Sequence, residues 1–66
     1  MIRVEQWRYG YRQDDVFFRN LDDAARHAYA GSVEHTVYVE RAWSGDKLYT
    51  RWELLERGEQ LATQDD

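Results

Sequence analysis

Apolar and polar residues alternate most regularly along Thr36–Trp43 and Leu48–Leu55, two runs that flank the dipeptide Gly45-Asp46. Period-two alternation marks a strand with one buried face, and a short glycine-containing turn between two such runs predicts a hairpin. Folding about the dipeptide sets Trp43 opposite Leu48, Arg41 opposite Thr50, Val39 opposite Trp52 and Val37 opposite Leu54. Thr36, Tyr38, Glu40 and Ala42 fall on the other side and meet Leu55, Glu53, Arg51 and Tyr49, with Glu40 across from Arg51. One register thus yields an apolar face and an opposite-charge pair, and a slip of one residue loses both. Trp43 and Trp52 are expected in the core.

Met1–Arg12 reads as a first strand whose phase shifts: Ile2 and Val4 share one parity, Trp7, Tyr9 and Tyr11 the other. A bulge near Glu5-Gln6 places both sets on one face, and a regular strand places them on opposite faces. Arg12-Gln-Asp-Asp15 is a polar turn before a short second strand, Val16–Arg19, which sets Tyr11 against Val16 and Tyr9 against Phe18. In that strand Arg8 and Arg12 alternate with the aromatics and face away from them. Asn20–Gly31 has the signals of a helix: Asn20 as N-cap, Asp22 and Asp23 in the first turn, an alanine-rich stripe, and Gly31 at the C′ position. Arg26 and His27 then lie near its C-terminal end.

Residues 51–62 also fit a helix, with Glu53 and Arg57 at i,i+4 spacing, but the hairpin register takes Leu48–Leu55 as strand. The remainder, 58–66, is a polar tail, frayed or with a short helical turn. The predicted fold is α+β: two antiparallel hairpins and one helix in ββαββ order, a two-layer sandwich over residues 1–57. One ten-residue helix is too short to cover a sheet carrying so many aromatics, so some of them are expected to remain near the surface or to meet a second chain.

At 66 residues there is room for one small core, and with no cysteine it has no disulfide or thiolate metal site to support it. His27 and His35, the two histidines, sit across a helix end, so no metal or other cofactor is expected. Three Trp, five Tyr and two Phe leave aromatic packing or self-association as the means of stabilisation. No apolar run has the length of a membrane span, and Met1–Arg12 has no signal-type apolar segment, so the chain is read as cytoplasmic. Thirteen Asp and Glu against nine Lys and Arg give a net charge of −4, which opposes general attraction to a phosphate backbone.

Catalytic patterns are missing: no phosphate-cradling glycine loop, nucleophile elbow or metal-spaced His-Glu pair occurs. Ser32 and Ser44 sit beside glycines as turn residues, and His35 beside Glu34 has no nucleophile to serve. The chain is therefore expected not to be an enzyme. Two binding surfaces come into view. Arg3, Arg8, Arg12 and Arg19, interleaved with Trp7, Tyr9 and Tyr11, could hold phosphates and stack bases. Asp14, Asp15, Asp22, Asp23 and Glu34 occupy turns and helix ends, where they project outward and could imitate spaced phosphates before a basic groove.

A strand ending in Val16-Phe-Phe-Arg19, then Asn20-Leu-Asp-Asp-Ala-Ala-Arg-His-Ala28, then a hairpin, resembles the ββαββ plan of many small phage and mobile-element proteins. Some of these, anti-CRISPR proteins among them, inhibit host defence by occupying the effector's nucleic-acid groove or blocking assembly. The resemblance is one of architecture over residues 1–57. It implies a phage-encoded inhibitor that binds and occludes a host protein or nucleoprotein complex with a basic surface, the acidic set acting as a nucleic-acid mimic. The alternative is a small homodimeric regulator that binds nucleic acid through the arginine-bearing hairpin.

Overall fold

The computed structural model describes residues 1–64. Its elements are β1 (Ile2–Arg8), β2 (Tyr11–Arg12), β3 (Val16–Phe18), α1 (Leu21–Glu34), β4 (Tyr38–Ser44), β5 (Lys47–Thr50) and α2 (Arg51–Gln64). The fold is α+β, as expected, with a five-stranded sheet ordered β2-β1-β4-β5 and β3 also paired to β1, all antiparallel. The ββαββ order is corrected by a second helix. Of the tail expected over 58–66, residues through Gln64 belong to α2, and Asp65 and Asp66 lie outside the described residues.

The first hairpin turns at Tyr9-Gly10, where φ is +53° and +80°, and not at the acidic Arg12–Asp15 segment. Glycine's freedom at φ > 0 lets a two-residue loop follow the strand twist there. β1 consequently pairs twice along one edge: Trp7 and Arg8 with Arg12 and Tyr11, then Ile2, Arg3 and Val4 with Phe18, Phe17 and Val16. The expected Tyr11–Val16 and Tyr9–Phe18 pairs do not form.

A bulge does occur at the Glu5/Gln6 position, but the extra residue is on the partner strand. Glu5 pairs with Arg41 and Gln6 with Val39, so Glu40 is skipped. β1 itself keeps its alternation, and Trp7 stays on the face opposite Ile2 and Val4. The phase change falls in β4 instead: Val39 and Ala42, three residues apart, are both fully buried. The Gly45-Asp46 hairpin has the predicted register as far as it runs, with Arg41–Thr50, Ala42–Tyr49 and Trp43–Leu48 paired. Beyond Thr50 the chain leaves the sheet, so Val39–Trp52, Val37–Leu54 and Glu40–Arg51 are not cross-strand pairs.

The signal for that departure is a capping box. Thr50 Oγ1 accepts from Glu53 N at 3.3 Å, and Glu53 Oε1 accepts from Thr50 N at 3.2 Å. α1 begins as predicted, Asn20 Oδ1 accepting from Asp23 N at 2.9 Å. It continues through Gly31 to Glu34 and ends at His35, whose φ of +57° makes it the left-handed cap. Arg26 and His27 are therefore mid-helix. Gly31 serves packing: a Cβ there would run into Val37. The core joins Ile2, Val4, Val39 and Ala42 from the sheet to Ala24 and Ala28 of α1 and Leu54 of α2. Trp52 is 77% exposed and is not a core residue.

Candidate functional site

Pairing across the strands places the side chains of opposite parity to the core in three rows. Phe17, Arg3, Trp43 and Leu48 form one row across β3, β1, β4 and β5; Glu5, Arg41 and Thr50 form the next; Arg12, Trp7 and Tyr38 form the third. Arg12 thus shares a face with Trp7, contrary to the expected alternation, because the turn at Tyr9-Gly10 sets the two opposite each other. Phe17, Tyr38, Leu48 and the adjoining Trp52 are exposed apolar groups.

Charge on this outer face is paired within it. Glu5 accepts from Trp7 Nε1 at 3.1 Å and lies 3.9 and 4.0 Å from the guanidinium nitrogens of Arg12 and Arg41. Asp15 bridges Arg12 at 2.9 Å and Arg3 at 3.5 Å, while Glu40 holds Arg41 at 3.1 Å. The Arg3 guanidinium lies over Trp43 at 4.2 Å, and that of Arg51 over Tyr38 at 3.8 Å. Arg51 also donates to the Val39 carbonyl, next to the bulge at Glu40, at 2.8 Å, a contact missed by the strand reading of residue 51.

The acidic set does not gather. Asp14 and Asp15 lie between β2 and β3, Asp22 and Asp23 in the first turn of α1, and Glu34 in its last turn, about 18 Å along the helix from Asp22 at 1.5 Å per residue. Asp15 is engaged by two arginines, Asp22 by Arg57 at 2.6 Å and Asp23 by Arg26 at 3.9 Å. The arginine set divides as well. Arg3 and Arg12 sit on the outer face, Arg8 is opposite Tyr11 on the other parity, and Arg19 follows β3.

Arg8, Arg19 and Arg51 are the arginines without a carboxylate partner within 4.0 Å among the described residues. Two of them, Arg8 and Arg51, line one cleft of about 360 Å3 at the end of the sheet, with Trp7, Tyr9, Tyr38 and His35. Ser32 and Thr36 add hydroxyls, and no carboxylate is among the lining residues. Tyr9 is 85% exposed at the first position of its two-residue turn. That position favours Asn, Asp or Gly, and φ > 0 costs other L-residues about 1–2 kcal/mol. One turn before Gly31 on α1, His27 Nε2 donates to Gln6 Oε1 at 2.8 Å, and its ring lies 5.0 Å from Phe18. Burial pushes His27 below its ordinary pKa, and the Arg8 charge adds to the effect.

No helix among the described residues is long and apolar enough to cross a membrane, and no three metal-ligating side chains gather among them. No protein-family model matches the chain, and neither a curated protein nor a solved structure is significantly similar to it.

Proposed function

We propose that this protein is a non-enzymatic interaction module whose binding face is the outer face of the sheet, and that the face docks against a second copy of the chain. In this reading both helices cover one side of a two-layer fold, and the other side is the interface. The observation that carries it is the row Phe17–Arg3–Trp43–Leu48 with its flanking ion pairs. Apolar groups are exposed there among arginines and carboxylates in near balance. A face bearing both signs is self-complementary about a two-fold axis, which a cationic nucleic-acid surface is not. A stable interface needs about 800 Å2 per partner, roughly one sixth of the 4728 Å2 this chain exposes.

The narrower role, a phage inhibitor that occludes a host complex, rests on a resemblance to a ββαββ plan, and α2 departs from that plan at Arg51. Three carboxylates of the acidic set are engaged by this chain's own arginines, which makes the outer face the stronger candidate surface.

Sedimentation equilibrium at micromolar concentration tests the proposal. The parent chain is expected to dimerise, and Phe17→Asp with Leu48→Asp to be monomeric with an unchanged circular dichroism spectrum, both side chains being half exposed. A parent chain that sediments as 8.0 kDa throughout overturns it.

A further inference from the structure

We infer that the cleft at the end of the sheet is a binding site for a planar ring carrying a phosphate, that is, a nucleotide, free or within a single strand. The cleft shares Trp7 and Tyr38 with the end of the outer face, but the inference does not depend on self-association. Its first ground is charge. On a chain of net charge −4, two of the three arginines with no carboxylate partner among the described residues line the same cleft. Guanidinium groups bind phosphate through paired N–H donors, and here no carboxylate competes for them. Arg51 is held in place by its stack on Tyr38 and its bond to the Val39 carbonyl, so its orientation is set before a ligand arrives.

The second ground is the aromatic wall. Trp7, Tyr9 and Tyr38 line the cleft; one face of the Tyr38 ring already carries Arg51, so Trp7 and Tyr9 offer the faces on which a nucleobase stacks with little dependence on sequence. Tyr9 is the most telling of them. It occupies a left-handed turn position that asparagine would fill more easily, yet it packs into no core. A strained residue on an exposed turn at a cleft mouth points to use of its side chain. Third, 360 Å3 falls within the range of small-molecule sites, which runs from roughly 300 to 1,000 Å3.

Isothermal titration calorimetry at low salt provides the test, with adenosine 5′-monophosphate, adenosine, inorganic phosphate and a ten-residue oligothymidylate as probes. The monophosphate is expected to bind with a dissociation constant of about 1 mM or tighter, and about tenfold tighter than adenosine or phosphate alone, since ring and anion are recognised together. Arg8→Gln should weaken it about tenfold, through loss of a charge-assisted contact, while Arg19→Gln leaves it within about twofold. Tyr9→Asn should weaken binding and raise the melting temperature by about 4–8 °C, opposite signs that a purely structural tyrosine would not give. Oligothymidylate binding tighter than the monophosphate, and equally dependent on Arg8, assigns the ligand to a strand; the reverse order assigns it to a free nucleotide. No saturable binding of either probe overturns the inference, as does equal weakening by Arg8→Gln and Arg19→Gln, or a Tyr9→Asn chain that binds like the parent.

Discussion

Burial and exposure divide side chains that look alike in the sequence. Leu54 is 1% exposed, at the junction of both helices and the sheet, whereas Trp52, two residues earlier, is 77% exposed on the outer side of α2. Leu54→Ala is expected to cost about 2–5 kcal/mol by emptying the core, a large share of the roughly 3–10 kcal/mol available to a domain of this size. Trp52→Ala should change stability by less than about 0.5 kcal/mol. Chemical denaturation of the two variants separates the helical placement from the strand reading, which would bury Trp52. His27 makes a second residue-level prediction. Its pKa in the fold is lowered from 6.5, first by burial and then by Arg8, so below 6.5 the unfolded chain takes up a proton that the folded chain resists. Its contribution is present in full above 6.5 and is lost as pH falls toward the lowered folded value. Melting curves between pH 7.5 and 5.5 should show this decline, and His27→Gln should flatten it.

At the scale of elements, α2 depends on a close crossing with α1. A Cβ on Gly58 would strike the Ala25 carbonyl oxygen and Tyr29 Cβ, so the two backbones meet where glycine leaves room. Alanine in a helix interior is ordinarily favoured over glycine by about 1 kcal/mol. Overpacking against α1 costs about 1–3 kcal/mol, and because the obstruction is partly backbone the larger end applies. Gly58→Ala is therefore expected to destabilise by about 1–2 kcal/mol in urea unfolding, the reverse of the propensity rule. The Arg57–Asp22 ion pair joins the same two helices from the surface, and with its side chains about half exposed it contributes little beside the packing.

For the molecule as a whole, the decisive fact is where the arginines find partners. Arg3, Arg12 and Arg41 share Asp15, Glu5 and Glu40 on one face, leaving that face nearly neutral and partly apolar. Arg8 and Arg51 are left for the cleft at its end. The net charge of −4 gives no hint of this local cationic site, because the excess carboxylates lie elsewhere.

What the sequence determined by itself is local. Asn20 and its acidic neighbours start α1, the alanine stripe faces the core, and Gly45-Asp46 sets the register of its hairpin, because each is fixed by neighbours a few residues away. Thr50-Arg-Trp-Glu53 was legible on the same terms and marks the start of α2. Alternation through residue 55 competed with it. Both patterns are present, and only the tertiary structure chooses: as a helix, the segment lays Leu54 and Gly58 against the core and α1, which an extended strand would not do. The bulge at Glu40 is likewise a tertiary decision. It brings Val39 and Ala42 to one face and turns Tyr38 and Trp43 to the other, and the carbonyl of Val39 beside it accepts from Arg51. The phase shift in the first strand pointed to a bulge at the Glu5-Gln6 position, but which strand carries the extra residue is decided only by the pairing of β1 with β4.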